Sequence, residues 1–395
     1  MSTLSPIALP ESAPAPRTGP RRLPLDPVLT ATVIALGICS VLTLRSATSN
    51  LVPGDPGYYT NRQALYLGAG LVLMLIISRI DYAHLRRLRN AIYALLMASI
   101  LAVLAVGHYS SLGAQRSIQL PFFSFQGSEI GKDLLIVALA ASIVDNARSL
   151  GARETTARVL LAALVPAVFV VAQPDLGSGM VYMFIAAMLL FVAGTPWRRL
   201  AAITALVIAC IAIVLAGAPA AGVHVLKPYQ EQRLTAFLDP SSHSESSYQL
   251  RESEIAVGSG GRTGRANPTQ IKLNFVPEDN TDFIFAAVGE NWGFAGAALV
   301  LLLYALLLWR TMRILLMSKD LFGSLIAAGV AAMLMFQVFV NVGMVVGIMP
   351  ITGVTLPLMS YGGSSVIAVM VAVGLLQSIY VRSRAAYPLG DRVLR

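Results

Sequence analysis

Charge is what this sequence has least of. Asp, Glu, Lys and Arg make up 12% of its 395 residues, against 56% hydrophobic, whereas soluble domains carry about a quarter charged residues. A water-soluble surface over most of the chain is excluded. Cysteine is nearly missing too. Cys39 and Cys210 both fall in apolar runs, so no paired-cysteine framework of a secreted fold is available. There is no GxxxxGK[ST], HExxH or CxxC pattern, and His84, His108, His224 and His243 are scattered without ligand spacing. These absences argue against zinc-dependent or nucleotide-driven chemistry. No internal repeat points to the inverted halves of many transporters.

What the chain has instead is apolar runs of roughly 18 to 25 residues, the length that crosses a bilayer core. Ten are predicted, at 27–46, 63–80, 90–107, 129–145, 157–172, 177–194, 200–217, 283–309, 322–346 and 364–381. The fold class that follows is an all-α polytopic membrane protein. Residues 1–26, with six prolines, read as a disordered cytoplasmic tail and not a cleavable signal, since the first run is too long for a signal h-region. The ten-span domain covers 27–382, and 383–395 form a second cytoplasmic tail. The net charge of +9 could suggest nucleic acid, but its placement argues otherwise. Nineteen of the 29 Lys and Arg lie in the two tails and the four short loops of one side, the positive-inside asymmetry of a multi-pass protein with both termini in the cytoplasm.

On the other side a polar loop spans 218–282, far longer than a connection needs. Within it, Ser247 to Val257 has helical spacing, and Gly258-Ser-Gly-Gly-Arg-Thr-Gly264 supplies flexible backbone. The basic stretch Arg251 to Arg265 reads as a solvated loop more readily than as a phosphate contact. At the loop's end Asp282 stands at the mouth of an apolar run that also holds Glu290. A buried acid there needs a partner or a cavity. On a helix that includes both, the two would point about 80° apart and could share one cleft. Gly289 and Gly293 would allow close packing. Asp282 is read as functional; for Glu290 a structural ion pair and a functional role both stand.

Two further constellations carry candidates. Arg116 precedes Ser128-Glu129-Ile-Gly-Lys132-Asp133, where Ser128 would cap a helix with an acid in its first turn. Lys132 opposes the helix dipole there and would suit a phosphate, while a Glu129–Lys132 pair at i,i+3 is its structural alternative. Residues Met349 to Ser365 contain two prolines and three glycines, which preclude a regular helix, yet are apolar, so they should dip back into the membrane against protein or a cavity. Their Gly-Gly-Ser-Ser end either holds an anion at a helix start or simply starts a helix.

Together, Gln232-Arg-Leu-Thr-Ala-Phe-Leu-Asp-Pro240, Glu254 to Gly261, Phe275-Val-Pro-Glu-Asp-Asn-Thr-Asp-Phe-Ile-Phe285, Gly293-Phe-Ala-Gly296 and Ser360-Tyr-Gly-Gly-Ser-Ser365 resemble the SEDS family of bacterial cell-wall polymerases, from about Leu25 to Arg384. The resemblance implies a glycosyltransferase that polymerises lipid II at the outer face of the cytoplasmic (inner) membrane beside a class B penicillin-binding protein. It makes Asp282 the essential acid and general base. Arg116, Glu129, Lys132, Asp175, Glu290, Ser360 and Ser364 become substrate-binding positions, and a divalent cation such as magnesium is a possible helper at the lipid pyrophosphate. Pro268-Thr-Gln270, Leu273 and Phe275 lean toward the RodA-like elongation branch over the FtsW-like division branch. Departures are Ser117 for Trp, Gly127 for Pro, Asn280 for His and Asn291 for a second acid. Two other readings stand beside this one: a flippase for lipid-linked precursors, against which the long outer loop ending in an acid argues, and a non-catalytic scaffold for a transpeptidase.

Overall fold

A computed structural model describes residues 25–48, 55–109, 115–120, 123–147, 153–212, 233, 236–237, 245–264 and 281–385, with backbone alone at 108–109, 115–116, 207–212 and 385. The N-terminal tail to residue 24, most of the long loop, Asn280 and the Arg116 side chain therefore lie outside the described residues.

Helices stand at each of the ten predicted runs. They are α1 (Pro27–Ala47), α2 (Tyr58–Arg79), the one-turn α3 (Ala83–Arg87), α4 (Arg89–Val106), α5 (Gly127–Asp145), α6 (Arg153–Ala172), α7 (Leu176–Val192), α8 (Trp197–Ala212), the loop helix α9 (Glu245–Ser259), α10 (Ile284–Met317), α11 (Leu321–Val345) and α12 (Gly363–Ala385). Seven of them (α1, α2, α4, α6, α10, α11 and α12) are long and apolar enough to cross a membrane, and α7 is a shorter apolar helix. The four charges of α5 (Glu129, Lys132, Asp133, Asp145) explain why it is not among the seven. The protein is an all-α polytopic membrane protein, with one small exception among the described residues. A three-stranded antiparallel sheet, β1 (His108–Tyr109), β2 (Gln115–Gln119) and β3 (Ser124–Phe125), joins α4 to α5; strands of two residues are too short to leave a period in the sequence.

The exterior is apolar. Leu95, Leu302, Leu316 and Phe339 are all exposed, which is stable only where the surroundings are lipid. In lipid, apolar burial no longer drives helices together, so close backbone approach must. A Cβ at Gly70 would sit 2.7 Å from Met370, and one at Gly329 would sit 2.6 Å from Ile136; these contacts bring α2 onto α12 and α11 onto α5. The enclosed centre is α11 and α12, whose most apolar segments are 78% and 89% buried, against 22% for the peripheral α4.

At the end of the bundle where α1 begins and α5 ends, ion pairs tie the helices together. Asp145 accepts from Arg86 at 2.8 Å and pairs with Arg89, and Arg382 reaches Asp81 at 3.0 Å. The Tyr82 hydroxyl donates to Asp320 at 2.6 Å, and Asp320 also caps α11 through the Gly323 N–H. Burial, with the Asp320 carboxylate behind it, pushes the Tyr82 phenol up, so it stays a donor.

Asp26 departs from the sequence-based boundary, since it belongs to the folded body and not to the tail. Fully buried, it caps α1 through Val28 N and Leu29 N and pairs with Arg310 of α10, while its backbone N–H donates to the Gln377 side-chain oxygen of α12 and its carbonyl accepts from the Gln377 amide. At the other terminus α12 continues to Ala385, past the predicted span end at 381. Removing one partner of a buried pair costs about 3–5 kcal/mol. Asp26→Ala should therefore lower the melting temperature of the detergent-solubilised protein by roughly 5–10 °C, and Asp26→Asn, which keeps the cap, by less. Equal melting curves for Asp26→Ala and the unaltered protein would contradict this.

Candidate active site

The opposite end of the bundle is organised by a stretch that is not helical. Between α11 and α12 the chain runs through residues 350–362 without regular structure, and Ile351, Val354, Leu356, Leu358, Met359 and Ser360 are buried. Pro350 and Pro357 cannot donate N–H bonds. Gly347 and Gly353 take φ +74°, and Leu358 takes φ +64°, a left-handed conformation that costs a non-glycine residue about 1–2 kcal/mol. Buried carbonyls in such a stretch need donors from elsewhere. Four helices supply them. Asn341 of α11 donates to Val354 O at 2.7 Å and Tyr304 of α10 to Pro357 O at 2.6 Å. Ser40 of α1 donates to Met359 O at 2.8 Å, and Gln63 of α2 to Ser360 O at 3.2 Å.

The Asp282 turn rests on this stretch. Ser360 donates its hydroxyl to Thr281 O at 2.6 Å, and the second N–H of Asn341 goes to Asp282 O at 2.8 Å. Asp282 is buried. It lies in a turn, because α10 starts only at Ile284, so the 80° helical offset from Glu290 does not apply. Glu290 is half-buried on the first two turns of α10, just before the helix breaks at Gly293, whose φ is +63°. The break is where the loop grips the helix. Phe294 N donates to Gly261 O at 2.9 Å and Ala295 N to Arg262 O at 3.0 Å. A Cβ on Gly260 would fall 1.9 Å from Gly289 O, so the glycine-rich stretch is there for contact with α10. The predicted closeness at Gly289 is present, against Val257 of α9, and Gly293, the site of the break, is closely packed too: a Cβ there would fall 2.4 Å from Gly264 N.

The first turn of α5 forms the neighbouring wall. A Cβ on Gly177 at the start of α7 would sit 2.6 Å from Val354 and 2.8 Å from Thr352 O, so α7 abuts the irregular stretch. Asp175 caps α7 through Ser178 N at 3.1 Å, and its other oxygen accepts from Ser128 at 2.9 Å and Gln126 at 3.2 Å. Ser128 is thus not the cap of α5, as its position suggested. The helix starts one residue before it, at Gly127 after Gln126, which leaves the Ser128 hydroxyl free to reach Asp175. Ser364 donates to Ser124 O at 2.7 Å and accepts from Gln126 N at 3.0 Å, hooking α12 to β3. Both Ser360 and Ser364 hydroxyls are therefore engaged with backbone.

Lys132 is buried and bonded to Glu129 at 2.7 Å, with both side chains about 2–4% exposed. The second Glu129 oxygen and both oxygens of Asp133 are buried without a hydrogen-bond partner among the described residues. A phosphate-sized anion arriving at Lys132 would meet an ammonium that is already desolvated, where charge interactions are strongest. Among the described residues no three His, Cys, Asp or Glu side chains come together to hold a metal ion.

Sequence reasoning picked Asp282, Asp175, Glu129, Lys132, Ser360 and Ser364, and the structure gathers them at one end of the bundle. It missed Asn341, Gln63 and Tyr304. Their signal was present, as polar groups inside apolar runs, but their partners are carbonyls far along the chain.

Residues 24–385 match the FtsW/RodA/SpoVE family, described as cell cycle proteins. The chain is 34% identical over 363 residues to the peptidoglycan glycosyltransferase MrdB of Escherichia coli K12, covering 91% of this chain and 94% of the relative. It is also 34% identical over 377 residues to a probable peptidoglycan glycosyltransferase FtsW of Thioalkalivibrio sulfidiphilus, covering 92% of each. Among solved structures, a chain from work on the coordination of polymerization and crosslinking by a peptidoglycan synthase complex superposes with a TM-score of 0.73 at 32% identity, covering 92% of this chain and all of that one. On the match across its whole membrane body and on these relatives, the chain belongs to the SEDS family of FtsW, RodA and SpoVE proteins.

Proposed function

We propose that this protein is a peptidoglycan glycosyltransferase that polymerises lipid II at the outer face of the bacterial cytoplasmic membrane, with both termini in the cytoplasm and a class B penicillin-binding protein as its transpeptidase partner. The observation that carries the reading is a buried carboxylate, Asp282, on a turn anchored through two backbone carbonyls. The positive-inside distribution of Lys and Arg supports the orientation.

Asp282 acts as general base. It takes the proton of the GlcNAc 4-hydroxyl of an incoming lipid II as that oxygen attacks the anomeric carbon of the lipid-linked glycan chain. The new glycosidic C–O bond forms while the bond from the anomeric carbon to the lipid diphosphate breaks, and the diphosphate leaves with the bonding pair. A placed base contributes ~10²- to 10⁴-fold. Lys132, with Glu129 as its counterion, and Arg116 on β2 stabilise the charge that develops on the diphosphate. Glu290 and Asp175 complete the wall of the cleft, and Ser360 and Ser364 hold the backbone behind it. The apolar helix faces hold the polyprenyl tails.

A flippase would need no base on the loop-side turn, so the first test is chemical. Purified Asp282→Asn given lipid II should form no glycan chains while keeping its melting temperature; full activity would sink the base assignment. A second test separates charge from packing at Glu129 and Lys132. Replacing a buried pair by apolar residues of similar size is neutral or stabilising by about 1–4 kcal/mol. The double variant Glu129→Leu, Lys132→Met should melt no lower than the unaltered protein yet lose ~10²-fold or more in glycan synthesis. Undiminished synthesis would remove Lys132 from the mechanism.

A further inference from the structure

We propose that Asn341 and Ser360 are positioning residues that set the aim of the Asp282 carboxylate, and that Ser360 does so without touching substrate. The inference rests on the general-base reading above. Two consecutive carbonyls, Thr281 O and Asp282 O, are each held by a side chain from a different part of the fold. The Asp282 carboxylate is three bonds from the second of them, so its position follows the position of that backbone.

The chemistry of each clamp leaves little freedom. Ser360 has one hydroxyl proton, and it lies on Thr281 O at 2.6 Å, while its lone pair accepts from Leu356 N at 2.8 Å. A hydroxyl with its proton committed this way cannot also donate to a sugar or a phosphate. Asn341 spends both amide N–H groups on carbonyls, Asp282 O at 2.8 Å and Val354 O at 2.7 Å. Turning the amide over would face its oxygen to two carbonyl oxygens, so the orientation is determined by its partners. Both residues are buried, at 0% and 1% exposure, where a lost bond is not replaced by water. Each residue also bonds the irregular stretch, Ser360 through Leu356 and Asn341 through Val354. Turn and stretch therefore move as one piece. Misplacement of a reacting group by about 1 Å can cost ~10²-fold in rate.

The test uses the full-length protein reconstituted in lipid vesicles with purified lipid II, and separates kcat from KM. Ser360→Ala and Asn341→Ala should each lower kcat ~10- to 100-fold with KM for lipid II changed less than about 2-fold. Ser360→Thr keeps the donor and should return kcat to within about 3-fold of the unaltered protein. Asn341→Asp keeps the shape but sets a carboxylate against two carbonyls, and should be at least as damaging as Asn341→Ala. Should Asn341→Ala fail to fold, the Ser360 pair alone decides. A loss carried by KM would make Ser360 a substrate contact and overturn the inference, as would Ser360→Thr failing as badly as Ser360→Ala. Asp282→Asn in the same assay separates the two levels. An inactive Asp282→Asn beside fully active alanine variants overturns only the positioning role, whereas a fully active Asp282→Asn overturns the base and the positioning together.

Discussion

The satisfaction of buried carbonyls between α11 and α12 is the constraint on which the rest depends. A stretch that enters an apolar body without helical hydrogen bonds must find a donor for each buried acceptor, because lipid offers none. Here the donors are Ser40, Gln63, Tyr304 and Asn341, one each from α1, α2, α10 and α11. Four helices that have no hydrophobic reason to converge in lipid thus share one polar object. That object in turn carries the Thr281–Asp282 turn.

The two ends of the bundle divide the work. Ion pairs among Arg86, Arg89, Arg382, Asp81 and Asp145 hold one end. The other end uses neutral hydrogen bonds around a few buried charges, chiefly Asp282, Asp175 and the Glu129–Lys132 pair. The separation suits chemistry on a charged lipid diphosphate, since the Lys132 ammonium, paired with Glu129, is already desolvated and its attraction for an arriving anion is little screened. The break at Gly293 adds a joint between the part of α10 beside Asp282 and the long part that runs on to Met317. It is bridged by the carbonyls of Gly261 and Arg262.

Much of this was legible in the residues. Apolar runs located all ten helices, because hydropathy over some 20 residues is a strong signal, although α10 runs eight residues past its predicted end, to Met317. Asp282 and Lys132 stood out as charges where charge is costly. Local rules failed where a distant partner won. Ser128 looked like a helix cap, but Asp175, 47 residues away, takes its hydroxyl. The angle between Asp282 and Glu290 assumed a helix that starts two residues later than Asp282. The resemblance marked Ser360 and Ser364 as substrate-binding positions, and in the structure their hydroxyls donate to Thr281 O and Ser124 O. Pairings across 79 and 240 positions have no trace in the spacing of one sequence.

The central claim is that the clamped Asp282 carboxylate is aimed at the hydroxyl that attacks. An experimental structure of the protein in a lipid nanodisc with lipid II bound at the acceptor position tests it most directly. The account predicts the GlcNAc 4-hydroxyl within about 3 Å of an Asp282 carboxylate oxygen, or joined to it through one water, with the turn still held by Asn341 and Ser360. A bound sugar whose 4-hydroxyl faces away from Asp282, with another side chain in hydrogen-bond reach, would contradict it.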